Sequence, residues 1–341
     1  GRRGVGVNPL RGQNNVQGAA DMGCQPHQGA GYFPVAEQKI QDFYTQKYGV
    51  VHPTKAGLKI PEMFDAAINK EIKGLWIIGE DIVQTDPNSN HVIEAMRALD
   101  LLVVQEIFMS ETAKYADVVL PGTTFLEKDG TFTNTERRVQ RVNRAAVPLP
   151  GTKPDGVIVT EMMQKLGYKQ KTYDADEVLA EIADVVPFFK GITRERLGKL
   201  GLQWPVKEDG TDTKILHETE FKLGKGRLKS FDWKESSEIE ANKNEYPLIL
   251  TTSRVLQHYN AATMTRRTNN IEMVNEDILL VHPNDAKQRE LNTGDIARLY
   301  SGRGEVALKV EVTDKVKKGV VFTTFHFPEH MVNMVTGHGK D

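Results

Sequence analysis

Short apolar runs and helical stripes alternate through residues 74–121. Leu75-Trp76-Ile77-Ile78-Gly79 is a continuous apolar run closed by glycine, the pattern of a strand buried on both faces. Asp86-Pro87 predicts a helix start, with Asp86 as N-cap and Pro87 in the first turn. Val92, Met96 and Leu99 follow at helical spacing. Leu101-Leu102-Val103-Val104 reads as a second strand, Ser110 as the cap of a short helix through Ala116, and Asp117-Val118-Val119-Leu120-Pro121 as a third strand. Strand and helix in strict alternation predict an α/β fold with a doubly wound parallel sheet.

Further along, Val157, Met163 and Leu166 form a helical stripe ended by Gly167, and Val178, Ile182 and Val185 form another stopped by Pro187. Met162 and Met163 fit there as core filler. Residues 234–245 are charged and aperiodic, and we read them as a linker. Beyond them the period falls from 3.6 to 2. Strands are expected at 248–252, 278–281, 294–300, 306–312 and 320–327, with one helix led by Pro283 to Leu291. Val306, Leu308, Val310 and Val312 alternate with polar neighbours, as in a half-buried strand. Short strands with a single helix predict a small β-barrel.

The first 34 residues are different. They are rich in Gly, Asn and Gln with little apolar periodicity, which leaves two readings, a disordered segment or a functional loop held by other elements. The chain has 341 residues, more than one core usually organises, so two or three domains are expected. We place an active-site segment from a preceding domain at 1–13, a dinucleotide-binding α/β domain at 14–125, a mixed, mainly helical connection at 126–240 and the barrel, expected to be incomplete at its C-terminus, at 246–341.

Charge and cysteine content narrow the chemistry. Forty-four Lys and Arg against 46 Asp and Glu remove the usual electrostatic warrant for a nucleic-acid partner. No apolar run reaches the length of a membrane span. Cys24 is the single cysteine, so this chain alone builds neither a disulfide framework nor a four-cysteine cage, and a reducing, cytoplasmic setting is expected. The chain starts Gly-Arg-Arg with no Met, and we expect a fragment of a longer polypeptide.

Stock phosphate-loop, zinc-helix and nucleophile-elbow motifs are absent from the sequence. His326 and His330 are four apart, but Pro328 between them spoils a helical metal pair. The strand ends are more telling, because open α/β sheets bind ligands there. The first ends Gly79-Glu80-Asp81 and the second Gln105-Glu106. Carboxylates in those places suit ribose hydroxyls or the donors of a guanine edge; solvated loop acids are the plain alternative. In the polar block 127–138, Arg137 and Arg138 suit a bidentate phosphate clamp, or else the charged face of a surface hairpin. A third polar block, 251–267, follows a strand and reads as a long loop suited to wrapping a polar ligand.

Taken together, these blocks resemble a known family. Asn8-Pro9-Leu10-Arg11-Gly12-Gln13-Asn14-Asn15-Val16-Gln17-Gly18 with Asp21-Met22-Gly23 resembles the signature of formate dehydrogenase catalytic subunits, within the molybdopterin-guanine-dinucleotide oxidoreductases. Ile78-Gly79-Glu80-Asp81, Gln84-Thr85-Asp86, Val104-Gln105-Glu106-Ile107-Phe108, the 127–138 block and Met264-Thr265-Arg266-Arg267 resemble its other segments, in the same order. The resemblance implies a C-terminal barrel of the double-psi type and two pterin guanine dinucleotides around one molybdenum or tungsten. It implies oxidation of formate to CO2, or the reverse, with an iron–sulfur cluster in an N-terminal part that this sequence lacks. Electron-transfer iron–sulfur or flavin subunits and the rest of the catalytic subunit are the implied partners.

The same resemblance carries Arg11 over as the catalytic residue that binds the substrate carboxylate. Gln13 falls near the same pocket or the pterin. Gly79, Glu80, Asp81, Thr85, Gln105, Glu106 and Thr112 match positions lining one dinucleotide. Arg254, His258, Asn260, Thr263 and Asn333 match barrel positions over the pterins, although Tyr259-Asn260-Ala261 departs from the commoner family spelling. No metal ligand is carried over, and Cys24 is not assigned that role. A nitrate reductase-like oxidoreductase and a cofactor-free scaffold relative are the alternatives.

Overall fold

Apolar side chains at period 2 and at period 3.6 build their elements close to where the sequence places them. The computed structural model describes residues 8–221 and 223–337. Residues 1–7 of the N-terminal block and residues 338–341 at the end of the expected barrel domain lie outside the described part. The chain forms two units, one of residues 1–62 and 120–228, the other of residues 63–119 and 229–341.

In the second unit, the strand Gly74–Ile78 pairs in parallel with Leu101–Glu106, in the register Gly74↔Leu101 to Ile78↔Gln105. Val118–Pro121 joins as the third neighbour. Val92, Ala95 and Met96 of the helix Ser89–Ala98 bury against Leu102 and Val104, and each of the Val, Met and Leu side chains contributes about 1.5–3 kcal/mol on burial. The helix begins later than expected. A single turn, Ile82–Thr85, follows the first strand, Asp86 ends that turn, and Asn88 with φ 59° is the N-cap of the longer helix. Asp86 is therefore not an N-cap, because its amide is already bonded back to the Ile82 carbonyl at 3.0 Å.

The same unit carries a curled half-barrel of five strands in the spatial order Ile296–Tyr300, Glu305–Val312, Ile278–Val281, Val320–Thr324, Ile249–Ser253. Val306, Leu308 and Val310 are buried while their strand neighbours face out, and they pack on Leu279, Val281 and Val321. The last of these strands in sequence stops at Thr324 and not at Phe327. Asp277 explains the early end: its carboxylate takes the amides of His326 and Phe327 at 3.0 and 3.1 Å, which pulls them out of the ladder. The 234–245 segment read as a linker holds a short helix, Ser237–Asn242. Glu238 and Glu240 in its first turn favour the helix dipole, and Arg303 holds Glu238 at 2.5 Å.

In the first unit, the polar N-terminal block contains a short helix, Val16–Asp21. Periodicity missed it because its anchors are polar. Asn15 at its start has φ 60°, and its Oδ1 accepts the Thr133 amide at 2.9 Å. A Cβ on Gly18 would lie 2.1 Å from that Oδ1, so a side chain there would push the Asn15 carboxamide off the Thr133 amide. Glu127 also serves the scaffold, accepting from Thr124 and, at 3.0 Å, from the Leu149 amide. Gly130–Thr133 and Arg138–Val142 form an antiparallel hairpin. The helices Gln38–Tyr48, Asp155–Lys165 and Ala175–Val185 complete the described frame, with Ile40, Tyr44, Leu179 and Val185 in its core.

Candidate functional site

Two sets of polar residues carry the chemistry, one in each unit. In the second unit, Gly79 ends the first parallel strand with φ 65°, a conformation that favours glycine, and its amide donates to the Gln105 carbonyl at 2.9 Å. This sharp exit leaves Glu80 exposed and turns Asp81 inward. Asp81 Oδ1 accepts the Thr112 amide at 2.8 Å and the Thr112 hydroxyl at 2.7 Å. The Thr112 hydroxyl oxygen in turn accepts the Val83 amide at 3.1 Å. Asp81 and Thr112 thus lock the two strand-end loops together, while Glu80 is exposed and Glu106 half-buried beside them.

Burial pushes the Glu106 carboxyl above its ordinary range, and the charges of Asp81 and Glu80 add to this against the Ile107 amide. Asp86 is pushed up to about 6, first by burial and then by Glu80, and its buried Oδ2 has no hydrogen-bond partner among the described residues. A crowded set of acids held above the usual carboxylate pKa is characteristic of functional sites. The sign of the stability effect follows from the raised value. The neutral acid is the form the fold tolerates, so stability falls as pH rises from the unfolded value of 3.8 through about 6. We expect Asp86→Asn to gain about 1 kcal/mol at pH 7.5, after discounting for partial exposure, and nothing at pH 3.5. Urea midpoints at the two pH values measure this, and an equal change at both would remove the burial argument.

Barrel-mouth loops face these acids through a buried pair. Gln84 Nε2 donates to the carbonyls of Ala261, His326 and Phe325 at 3.0, 3.2 and 3.3 Å, and Gln84 Oε1 accepts from Arg266 Nη1 at 3.0 Å. Asn333 Nδ2 donates to the carbonyls of Gln84 and Thr85 at 2.8 and 3.1 Å. Exposed Arg267 stacks 4.3 Å from the Phe108 ring centre, and exposed Arg254 donates to Asn260 Oδ1 at 2.7 Å. Arg254, Arg266 and Arg267 pair with neutral dipoles and rings, not with carboxylates, among the described residues. Positive charge left over beside a polar opening suits phosphate.

His258 plays a different part. Its Nε2 donates to the Val274 carbonyl at 2.7 Å and its Nδ1 accepts the Thr265 hydroxyl at 2.9 Å, so both ring nitrogens are used inside the protein. Thr263 gives its carbonyl to Arg267. The structure therefore gathers the expected residues of this unit and separates them by role. Asp81, Thr112, His258 and Asn333 are buried braces; Glu80 and Arg254 are exposed, Thr85, Glu106 and Asn260 are half-buried, and Thr85 donates to Glu80 Oε1 at 3.1 Å. Gln105 is buried beneath them. Gln84, Arg266 and Asp277 were missed as site residues. Gln84 and Arg266 stood inside quoted blocks, whereas Asp277 had no sequence signal, being one acid among many until the fold buries it.

In the first unit, Arg11 and Gln13 are exposed. Arg11 Nε donates to Gln17 Oε1 at 3.3 Å. The phosphate-clamp reading of Arg137 and Arg138 fails on geometry. Arg137 donates to the Trp204, Thr213 and Lys214 carbonyls and covers the Trp204 ring at 5.4 Å, while Arg138 Nε binds Glu136 at 2.7 Å. Both are used by the hairpin and its neighbours. His330 Nδ1 lies 3.7 Å from Asp277 Oδ2, and His326 Nε2 accepts the Val255 amide at 3.2 Å. Among the described residues no His, Cys, Asp and Glu cluster could hold a metal ion, and no helix is long and apolar enough to cross a membrane.

The molybdopterin oxidoreductase description matches residues 1–165, and the molydopterin dinucleotide binding domain matches residues 248–341. The chain belongs to the molybdopterin oxidoreductase family. It is 45% identical over its whole length to the F420-dependent formate dehydrogenase subunit alpha of Methanocaldococcus jannaschii. It is 44% identical over its whole length to the F420-dependent formate dehydrogenase 2 subunit alpha of Methanococcus maripaludis. The chain spans 51% of the length of each of these relatives. Acetylene hydratase from Pelobacter acetylenicus has the same fold, with a TM-score of 0.63 at 19% identity, over 89% of this chain and 46% of that one. The match to the molydopterin dinucleotide binding domain thus begins at the half-barrel strand Ile249–Ser253, whose exit carries Arg254 and the loop of His258 and Asn260.

Proposed function

We propose that this chain forms the substrate-binding and nucleotide-holding part of a formate dehydrogenase catalytic subunit containing molybdenum or tungsten and two pterin guanine dinucleotides. The residues fit the group. Glu80, Asp86 and Glu106 offer acceptors only, and one buried acceptor, Asp86 Oδ2, lacks a partner. A guanine edge supplies adjacent N–H and amino donors. Arg254 and Arg267 supply uncommitted positive charge for a pyrophosphate. When bound, the metal–pterin group accepts the two electrons that leave formate as CO2 and a proton are released.

Arg11 carries the formate assignment. Its Nε is taken by Gln17, so the Nη edge remains to fork a carboxylate. A planar fork fixes both the place and the plane of a three-heavy-atom anion, which lysine does not. Identity along the whole chain to two formate dehydrogenase alpha subunits supports the same reading. Their names make coenzyme F420 the first acceptor to test, reached through iron–sulfur or flavin subunits. An iron–sulfur cluster would need cysteines beyond the single Cys24 of this chain.

The test uses the full-length protein. We expect molybdenum or tungsten with two equivalents of GMP released on hydrolysis, and formate-dependent reduction of a viologen dye. Nitrate-dependent oxidation of reduced dye without formate activity would favour the nitrate reductase-like alternative. Absence of both metal and GMP would leave a scaffold.

A further inference from the structure

Gln17 and Asp21 belong to the same network as Arg11, and both are buried while Arg11 is exposed. We propose that they are positioning residues, which orient the Arg11 guanidinium so that its Nη edge is presented to a carboxylate. This deepens, and rests on, the reading of Arg11 as the formate ligand.

Asp21 is fully buried. Its Oδ1 accepts from Gln17 Nε2 at 2.9 Å and from the Tyr32 hydroxyl at 2.8 Å, and its Oδ2 accepts from Trp204 Nε1 at 2.8 Å. Gln17 Nε2 also donates to the Tyr32 oxygen at 2.9 Å. An ionised carboxylate only accepts, and Tyr32 spends its one proton on it. A flipped Gln17 amide would turn Oε1 onto that carboxylate. The amide therefore has one orientation, and its Oε1 faces Arg11 Nε at 3.3 Å. With Nε occupied, the side-on Nε/Nη fork is closed and the end-on Nη/Nη fork stays open.

Local backbone serves the same end. Tyr32 is a non-glycine residue at φ 62° directly after Gly31 at φ 78°, a costly conformation tolerated where surrounding contacts over-determine it. In this conformation the hydroxyl reaches Asp21. The spelling Arg11-Gly12-Gln13-Asn14-Asn15-Val16-Gln17-Gly18 then has a mechanical reading. Asn15 starts the helix, Gly18 admits the Asn15 side chain, and Gln17 and Asp21, four apart on one helical face, meet through their side chains.

The test is a double-mutant cycle in the full-length holoenzyme, with metal content as the folding control. Gln17→Met keeps length and removes both polar atoms; Asp21→Asn keeps shape and turns the amide. Each is expected to raise formate KM, and the Kd of nitrate as a planar oxyanion that needs no turnover, by about tenfold, the worth of one charge-assisted hydrogen bond. In an Arg11→Lys background the same substitutions should change both constants less than twofold, because they act only through the guanidinium. Undiminished effects in that background would overturn the proposal, as would wild-type constants in Gln17→Met. If either variant loses metal, Tyr32→Phe, which deletes one donor to Asp21, carries the same cycle. Nitrate affinity separates this proposal from the activity. If formate is not oxidised at all, the functional reading fails while the nitrate cycle still decides the positioning role.

Discussion

Arg11→Lys in the full-length catalytic subunit should lower formate kcat/KM by about two to three orders of magnitude. Two charge-assisted hydrogen bonds to a carboxylate are worth about 3–4 kcal/mol together, and lysine keeps the charge but loses the fork. Both constants should move. KM rises because the anion is held less tightly, and kcat falls because one ammonium leaves the carbon–hydrogen bond free to rotate away from its acceptor. Steady-state kinetics with a viologen dye at saturating acceptor measure this. A variant within threefold of wild type would take Arg11 out of the mechanism, whatever the fate of the nucleotide-binding half. Arg11→Ala should be worse again, by the loss of the charge.

Asp277→Ala should be the most destabilising single change considered, at about 3–5 kcal/mol. The carboxylate is fully buried and accepts from the Thr324 hydroxyl and the His326 and Phe327 amides. Removing it leaves three buried donors without partners, each costing about 1–3 kcal/mol, partly relieved by relaxation and water. The change should also reach the site. His326 gives its carbonyl to Gln84 and Arg266, so a loosened 325–327 segment weakens the brace between the strand-end acids and the barrel-mouth arginines. Urea denaturation followed by circular dichroism reads the stability, and hydrogen exchange at His326 and Phe327 reads the local opening. A midpoint unchanged within about 0.5 kcal/mol, the noise of a neutral surface substitution, would show that the buried carboxylate is dispensable.

Much of this molecule was legible in one dimension. The two strands 74–78 and 101–106, the helices around Met96, Met163 and Ile182, and the period-2 strands of the half-barrel follow from spacing alone, because burying one face of a regular element imposes its period on the sequence. The site blocks were legible by resemblance, and the order of those blocks along the chain led to the family. What spacing did not show were elements set by polar anchors: the turn at 82–85, the helix 16–21 and the end of the strand at Thr324. In each, side-chain or backbone hydrogen bonds, invisible to hydrophobic periodicity, decide where the element starts or stops.

The roles within the site divide in the same way. By itself the sequence determined which residue types are present: acids at strand ends, arginines in a late loop, one arginine in a glycine- and asparagine-rich block. Only the tertiary structure decided which of them are free to meet a ligand. Asp81 and Glu80 are adjacent acids, yet one is buried beneath two Thr112 donors and the other is exposed; Arg137 and Arg267 are both arginines in polar blocks, yet half-buried Arg137 gives both terminal nitrogens to three carbonyls, whereas exposed Arg267 gives one, to the Thr263 carbonyl. A side chain's chemistry is local, but whether its hydrogen-bonding capacity is already satisfied depends on partners tens to hundreds of residues away, and only folding brings those together.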